Sequence, residues 1–418
     1  MTSGSTQAAL SRPSSAMVSD ASTDAGASPL GRGRVSAEDV LRIECNVDFE
    51  AFRRLEREWH ELCAQCPSAT MFNSWEWLFS WWQTYRGARE LRLILVRSGG
   101  ALVAVLPLCL SREPVVGPLM ARVLRFVGDG SYDSDYLDWI VRSGDEDRVV
   151  AALARWFAEN RDWDALRLRE LPPQSTLAPR LEVLRAAVSG RVQVETGRTG
   201  VIPLPATLEE FLRGRQSRFR TKLRALLRSM DTAGITLEVS CPPHQLRSRL
   251  RSLFALHQRR WQSAGEPGVF GGRTKRLFYA RFAPRFSRRG WLRLYTLQSA
   301  AGPVAHQLCF GTAGTTYLLQ EGFDVTNPNA SYGQMLRIAV MKHLIESGET
   351  HYDFLGGVTR HKEGWGAIEQ EVSHVSIVRP TVAGRMTIAW PLFREQVGQF
   401  LKRYLPPRIV DRLRGRGG

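Results

Sequence analysis

The sequence predicts an α/β (α+β) fold made of two copies of one unit, each a mixed sheet flanked by helices. The chain has 418 residues, which is too many for one compact core. Its 43% hydrophobic and 23% charged residues are typical of a folded, water-soluble protein. Both halves repeat one order of elements: helices, a hairpin, a further strand, a helix and a strand. This repetition predicts a duplication.

The first half begins with two predicted helices. Phe49, Phe52, Leu55, Trp59 and Leu62 recur at helical spacing, and "NSWEWLFSWWQTYRG" follows with Asn73-Ser74 as a natural cap. "LRLILVRSGG" and "ALVAVLPLCLS" predict a hairpin across Ser98-Gly99-Gly100. "VLRFVGDG" and "SDYLDWIV" are predicted strands, and the helix "EDRVVAALARWFAEN" and the strand "ALRLREL" complete the unit.

The second half repeats this order after a variable stretch from Pro172 to about Gly200. "TLEEFLRGRQSRFRTKLRALLRSMDTAGITLEV" predicts one long basic helix leading into a strand. Two more helices precede a hairpin across Ala301-Gly302-Pro303. The strand "TTYLLQEGFD", the helix "YGQMLRIAVMKHLIESG" and the strand "THYDFLGG" follow. We therefore predict domains at 39–195 and 196–382, a disordered tail at 1–38 and a basic amphipathic tail at 383–418.

Charge and cysteine content indicate the partners and the compartment. The net charge of +16 favours phosphates, an anionic cofactor or an anionic membrane face, although arginines on ordinary solvated faces would give the same excess. Six scattered cysteines have no disulfide or zinc spacing, so we expect reduced thiols, no metal and a cytoplasmic protein. Neither a signal peptide nor a bilayer-spanning run is apparent, and the basic tail could place the protein at the inner membrane face or pack on its own domain.

Two features could bind an anion. The helix that begins near Tyr332 has unpaired N–H groups and the positive end of its dipole at its start, and this arrangement suits a phosphate; capping by Asn329 or Ser331 explains the same residues. The basic helix carrying Arg218, Arg220 and Lys222 could clamp an anionic substrate or RNA phosphates, or could be only a solvated face.

Acid–base candidates are less well defined. No Ser-His-Asp or HExxH arrangement can be composed from neighbouring residues. The acidic segment "GDGSYDSDYLDW" lacks the glycine and glutamate offsets of a calcium loop, which disfavours metal binding. One of its carboxylates, facing the domain interface, could act as a general base for an amine or hydroxyl.

A set of motifs resembles a known family. "FNSWEWLFSWWQTYRG", "LRFVGDGSYDSDYLDWIV", "LHQRRWQSAGEPGVF", "SYGQMLRIAVMKHLIESG" and "YDFLGGVTRHKEGWG" are similar to the CelD/BcsL group of GNAT-type acetyltransferases, which is named for an association with cellulose biosynthesis. The resemblance runs from about residue 40 to 380. It implies tandem GNAT-like domains, each with a mixed, mostly antiparallel sheet. "SRFRTKLRALLRSMDTAGI" also resembles the basic helix of FemAB-type aminoacyl transferases.

The resemblance also implies functional residues. The acyl-CoA pyrophosphate would lie on Ser331, Tyr332, Gly333 and Gln334, and the pantetheine arm between "TYLLQEGFD" and "YDFLGG". The family pattern Asp-Phe-Leu-x-Gly-x4-Lys-x2-Trp places Asp353 beside the donor and makes Lys362 the candidate for stabilising negative charge. Trp365 would anchor the turn.

The remaining predicted roles belong to the acceptor side. Asp135, His306 or Glu321 would deprotonate the acceptor, and the predicted substrate contacts are Arg218, Arg220, Lys222 and Gln320.

The implied function is transfer of an acyl group, most simply acetyl, from acyl-CoA to a sugar, an amine or a cell-envelope or exopolysaccharide precursor. Two alternatives remain open. One is a non-catalytic accessory protein of polysaccharide biosynthesis. The other is an aminoacyl-tRNA-dependent transferase of the FemAB type, in which case tRNA would be a partner.

Overall fold

The computed structural model of this protein describes residues 40–312, 314–357 and 360–390. The predicted disordered tail at 1–38 lies outside these residues, as does most of the predicted basic tail at 383–418. Residues 382–390, at the start of that basic tail, are helical.

The described strands form one continuous sheet. In chain order they are β1 (Leu41–Asn46), β2 (Glu90–Ser98), β3 (Ala101–Val116), β4 (Leu119–Phe126), β5 (Ile140–Val141), β6 (Ala165–Leu171), β7 (Arg191–Pro203), β8 (Thr236–Glu238), β9 (Leu292–Ser299), β10 (Gly302–Thr312), β11 (Thr315–Phe323), β12 (His351–Gly356) and β13 (Ile368–Val378). The order across the sheet is β1-β2-β3-β4-β6-β13-β7-β12-β11-β10-β9-β8, and β5 pairs with β3.

The helices flank this sheet. They are α1 (Phe49–Arg54), α2 (Glu56–Cys63), α3 (Trp75–Tyr85), α4 (Glu146–Glu159), α5 (Leu181–Ala187), α6 (Leu208–Arg213), α7 (Ser217–Thr232), α8 (Leu246–Ser263), α9 (Arg273–Arg288), α10 (Tyr332–Glu346) and α11 (Arg360–Gly364). The Ser74 hydroxyl accepts from Trp77 N, so the predicted cap of α3 is confirmed.

The sheet order confirms the predicted duplication. Strands β1–β4 and β6 form an N-terminal unit, and β8–β11 and β12 form a C-terminal unit in the same relative positions. Two neighbouring pairs, β4 with β6 and β11 with β12, are parallel, and the other pairs are antiparallel. A parallel pair requires a crossover, which α4 supplies in the first unit and α10 in the second. The fold is therefore α/β with a mostly antiparallel sheet.

The two units exchange their last strands. β13 from the end of the described chain pairs with β6 of the N-terminal unit, whereas β7 pairs with β12 of the C-terminal unit. The centre of the sheet is the long antiparallel ladder between β7 and β13, from Val201↔Ile368 to Arg191↔Val378. The boundary predicted at 195/196 falls within β7, and neither unit has a complete sheet without the other.

Aromatic packing also joins the units. Trp77 of α3 is fully buried, and its ring centroid lies 4.9 Å from that of Phe278 and 4.8 Å from that of Phe282, both on α9. Both contacts are edge-on or tilted, as aromatic pairs prefer. Because α3 belongs to the first half of the chain and α9 to the second, this cluster extends the core across both.

Four predicted elements differ from the structure. The helix predicted over Phe49, Phe52, Leu55, Trp59 and Leu62 is divided at Leu55 into α1 and α2. The long basic helix is divided into α6 and α7 because Gly214 caps the end of α6. The predicted strand "SDYLDWIV" is reduced to Ile140–Val141. The backbone of Tyr136 is in the left-handed conformation (φ 50°), which interrupts an extended strand. The variable stretch contains most of β7, the strand that completes the second unit.

Candidate functional site

The parallel strands β11 and β12 separate at the edge of α10. They pair only where Thr315–Tyr317 runs beside His351–Asp353. Beyond Asp353, Leu355 has a φ of 58° and the register of β12 against β7 shifts. This irregularity turns β12 away from β11. The gap between the strands lies directly before the first turn of α10.

A pocket of about 270 Å³ opens at this position, and we call it the β11–α10 pocket. It is lined by Lys222, Arg260, Glu321, Phe323, Ser331, Gly333, Gln334 and Arg337. Five of these, Lys222, Glu321, Ser331, Gly333 and Gln334, are predicted site residues. Arg260 and Arg337 were not predicted, although an arginine one helical turn into α10 is visible in the sequence.

The β11–α10 pocket carries net positive charge. Glu321 Oε2 accepts from Arg337 at 2.6 Å and from Gln307 at 3.2 Å, and its Oε1 pairs with Arg260 at 3.3 Å. Burial alone would raise the pKa of Glu321, but the two arginines outweigh it and the pKa is lowered. A carboxylate held ionised by two cations is a poor proton acceptor, so Glu321 suits a structural role better than that of a base.

The first turn of α10 contains no acidic residue. The backbone of Ser331 is in the left-handed conformation (φ 51°). Its side chain makes no capping hydrogen bond to the start of α10, although the sequence suggested one. Its carbonyl oxygen accepts from Gln334 N and Met335 N. The buried Gln334 Oε1 has no hydrogen-bond partner among the described residues. The start of α10 and an unpartnered side-chain oxygen therefore lie at one small pocket.

The glycine in this turn has a packing reason. A Cβ on Gly333 would lie 2.5 Å from the Phe323 ring, so only glycine fits beside that side chain. The sequence interpretation, in which Gly333 permits close approach of a ligand, is not needed to explain the residue. Tyr332 begins the helix on the partly buried side of the same turn.

A second pocket, of about 400 Å³, lies where the two units meet, and we call it the Asp135 pocket. Its lining comes from both units and from both exchanged strands: Asp135, Glu170, Gly197, Arg198, Gly356, Gly357, Glu369, Val372 and His374. Asp135 is a predicted site residue. Glu170 and His374 were not predicted, because their proximity depends on β13 lying beside β6.

Asp135 and Lys362 lie on either side of the end of β12. Asp135 Oδ1 accepts from Gly356 N at 3.1 Å, and Lys362 Nζ donates to Gly356 O at 2.7 Å and to Phe354 O at 3.1 Å. Burial raises the pKa of Asp135 to about 6, against the lowering effect of the Gly356 amide and Lys362. Burial also lowers the pKa of Lys362, which Asp135 and Asp353 oppose. A carboxyl group with a raised pKa beside a lysine with a lowered pKa is typical of a functional site.

Two further carboxyl groups, those of Asp353 and Glu170, lie near Asp135. Asp353 accepts from Tyr136 OH at 2.8 Å and from Leu355 N at 2.7 Å, and burial raises its pKa to about 7. Glu170, at a φ of 62°, has a pKa raised to about 7 by burial and by Asp135. Such a cluster attracts a cation or an amine. Asp353 is 3% exposed and is not in the lining of the Asp135 pocket, so its contacts are those of a residue that positions Leu355 and Tyr136.

Other predicted residues lie elsewhere. His306 is fully buried, with ring nitrogens 2.9 Å from Thr296 Oγ1 and Ser252 Oγ, and burial lowers its pKa to about 4. Gln320 lies against His257 and Tyr279. These contacts give both residues a structural explanation.

The structure places the predicted basic helix beside the β11–α10 pocket and the turn after β12 against the core. Arg218 and Arg220 lie on α7 outside the β11–α10 pocket, while Lys222 lies in its lining. Trp365 is fully buried with its ring 5.1 Å from that of Phe219, as expected of an anchor.

Metal and membrane features are limited in the part of the chain that the structure covers. The one grouping with metal-ligand spacing is Glu56, His60 and Glu76. Glu76 already binds His60 at 2.9 Å and Arg289 at 3.4 Å, and a guanidinium at that distance opposes a cation. Among the described helices, none has the length and apolar character needed to cross a bilayer.

Part of the chain matches a known family, and most of it is similar to solved structures. Residues 217–363 match the family model described as an acetyltransferase (GNAT) domain. No curated protein matches the chain. The crystal structure of FemX is similar with a TM-score of 0.54 and 14% identity, covering 77% of this chain and 95% of FemX.

Two other solved structures are similar at lower scores. The C-terminal domain of a putative lysylphosphatidylglycerol synthetase from Agrobacterium fabrum has a TM-score of 0.48 and 11% identity, covering 80% of this chain and 94% of that one. A tandem GNAT protein from the clavulanic acid biosynthesis pathway has a TM-score of 0.41 and 16% identity, covering 82% and 100%. The matched domain contains the β11–α10 pocket, Lys362 and β12. The C-terminal half of this chain therefore contains a GNAT domain, and most of the chain has the fold seen in FemX.

Proposed function

We propose that this protein is an acyl-CoA-dependent N- or O-acyltransferase of the CelD/BcsL type. The acceptor would be a sugar, an amine or a cell-envelope or exopolysaccharide precursor in the cytoplasm. The observation that carries the proposal is the position of Lys362 between two pockets. Its ammonium interacts electrostatically with Asp135, which lines the Asp135 pocket, and with Arg337 and Glu321, which line the positive β11–α10 pocket.

The β11–α10 pocket fits the phosphate end of an acyl-CoA. Lys222, Arg260 and Arg337 line it against one carboxylate, and the start of α10 adds the positive end of the helix dipole. The separation of β11 from β12 gives the extended arm of such a donor a path toward Lys362. A bound acyl-CoA would supply an activated thioester carbonyl.

The chain's own residues would perform the proton transfers. Asp135, with a pKa raised to about 6, is ionised at neutral pH and can accept a proton from an acceptor amine or hydroxyl. The Lys362 ammonium, held by Phe354 O and Gly356 O, can stabilise negative charge on the carbonyl oxygen. The acceptor would add to the thioester carbonyl carbon as Asp135 takes its proton. Collapse of the resulting oxyanion would break the carbon–sulfur bond, and the leaving thiolate would take up the proton from Asp135.

Acyl-CoA binding measured by calorimetry tests the donor assignment. Lys222→Glu places a negative charge in the pocket lining and should weaken acetyl-CoA binding by about tenfold. Arg228→Glu changes charge equally on an exposed site of the same helix and should leave the affinity unchanged. If no acyl-CoA of any chain length binds the wild-type protein, the donor assignment fails and a non-catalytic accessory role gains support.

A second function, aminoacyl transfer from tRNA, is favoured by one observation. The FemX fold covers 77% of this chain, and α7 presents Arg218 and Arg220 on its outer side. Arg218→Glu combined with Arg220→Glu should then weaken tRNA binding and reduce its salt dependence. Unchanged, salt-insensitive binding in this variant would exclude the aminoacyl-tRNA function.

A further inference from the structure

A groove of about 1110 Å³ lies between α8 and α9, outside both pockets described above. Leu246, Leu250 and Phe254 recur every four residues along α8 and form its floor. Leu277 and Pro284 of α9 form the opposite wall, and Leu277 is 40% exposed. The groove is therefore apolar inside, and its volume is at the upper end of what small-molecule sites offer.

Arginines surround this apolar floor. The guanidinium groups at its margin belong to Arg247, Arg251, Arg259, Arg273, Arg276 and Arg288. Neither α8 nor α9 contains an aspartate or a glutamate. Within the described ranges none of these six arginines forms an ion pair, and all six are exposed at the margins of an apolar surface. The groove margin is therefore a surface of positive charge that attracts an anionic partner.

An apolar channel bordered by guanidinium groups matches an anionic amphiphile. Phosphate binds arginine through paired, charge-assisted hydrogen bonds, and each CH₂ group buried in the floor adds a further favourable contribution. Nucleic acid fits less well, because the one aromatic ring in the floor, Phe254, is 8% exposed and offers no stacking face. Residues 391–418 of this chain also fit less well, because they carry seven basic and two acidic side chains and would add repulsion.

We propose that the α8–α9 groove docks the protein on an anionic phospholipid membrane, with one acyl chain in the groove and lipid phosphates on its arginines. The position of the groove close to the GNAT pocket is consistent with a reaction that takes place at a membrane surface. Gln258 and Arg259 face the groove, and the next residue, Arg260, faces the β11–α10 pocket. One helix, roughly 10 Å across, thus separates the docked surface from the GNAT pocket.

Vesicle flotation with the full chain tests this proposal. Wild-type protein should float with phosphatidylcholine vesicles that contain about 30% phosphatidylglycerol and should not float with phosphatidylcholine alone. Arg251→Glu with Arg259→Glu should lower the partition coefficient by about tenfold or more. The matched control, Arg155→Glu with Arg228→Glu, changes the net charge equally at exposed sites on α4 and α7 and should retain binding.

A second variant separates the apolar floor from charge. Ala280→Trp fills the groove without changing any charge and should also reduce flotation, while its melting temperature stays near that of the wild type. Equal binding of wild type and the groove double variant would overturn the proposal, as would a preference for RNA over vesicles that depends on Arg251 and Arg259. Crosslinks from position 280 to residues 391–418 without lipid labelling would identify the tail as the occupant and would also overturn it.

Discussion

The first turns of α4 and α10 occupy equivalent places in the two units, and they differ in charge. α10 begins without an acidic residue, whereas α4 begins with Glu146 and Asp147. Asp145, directly before α4, pairs with Arg142 at 2.6 Å and with Arg148 at 2.7 Å. An anion at α4 would meet carboxylates, while one at α10 would meet the positive end of the helix dipole and three cations. Of these two helix starts, the one at α10 is the better suited to a phosphate.

The backbone beside these two turns is nevertheless similar. Glu170 in β6 and Leu355 in β12 both have a positive φ, and both strands shift register at that point. The duplication has thus retained the strand geometry that opens a cleft, and the side chains decide whether it can take a charged ligand. In the N-terminal unit the same irregularity places Glu170 in the Asp135 pocket, on the acceptor side of the proposed reaction.

The largest expected effect tests whether the units depend on each other. Ile377 of β13 is 1% exposed and packs in the core shared with β6. Ile377→Ala should lower the free energy of unfolding by about 2–5 kcal/mol. Because each unit holds the other's strand, amide hydrogen exchange should speed up in both β6 and β12, in one cooperative transition.

Its matched control is the facing residue on β7. Val192 pairs with Ile377 in the ladder but is 43% exposed, so Val192→Ala should cost less than about 1 kcal/mol. Two separate thermal transitions in the Ile377 variant would show that the units fold independently.

The next effect concerns Lys362, which comes from the C-terminal unit and not from the N-terminal unit. Lys362→Met removes the ammonium beside Gly356 and should lower the rate of thiol release from acyl-CoA by about 10²–10³. The assay would use a mixture of metabolites as acceptors. Acetyl-CoA affinity, measured by calorimetry, should change little. A loss of affinity with an unchanged rate constant would reassign Lys362 to donor binding.

A smaller effect would make α10 resemble α4. Gln334→Glu places a carboxylate in the first turn of α10 and should weaken acetyl-CoA binding by about tenfold, since it offsets the positive end of the helix dipole and repels the phosphates. The reciprocal change at α4, Glu146→Gln, should leave acetyl-CoA binding unchanged. Equal effects of the two substitutions would show that the charge difference between the units does not select the donor site.

The smallest effect is a pH dependence. The pKa of Asp135 is raised to about 6, so its carboxylate form, which the base requires, increases as pH rises through this value. The rate should therefore fall about tenfold for each unit below pH 6 and level off above it. Asp135→Asn should remove this limb along with most of the activity. A wild-type profile that is flat between pH 5 and pH 8 would exclude Asp135 as the base.

Local elements were largely predictable because they depend on neighbouring residues. The Ser74 cap, the hairpin at Ser98-Gly99-Gly100 and the start of α10 follow from short patterns. The pockets were less predictable. Lys362 and Asp353 come from one motif, yet Glu170 and His374 meet Asp135 only through pairing between strands some 200 residues apart. No local pattern encodes such a pairing.

The sequence by itself determined the duplication, the excess of arginine and the α10 turn, because periodicity, composition and caps act over a few residues. Tertiary structure alone decided the exchange of β7 and β13, the engagement of Glu321 by two arginines and the raised pKa of Asp135. These depend on which distant groups share a buried volume. Burial and long-range charge set the protonation of a carboxyl group, and neither can be obtained from the order of residues along the chain.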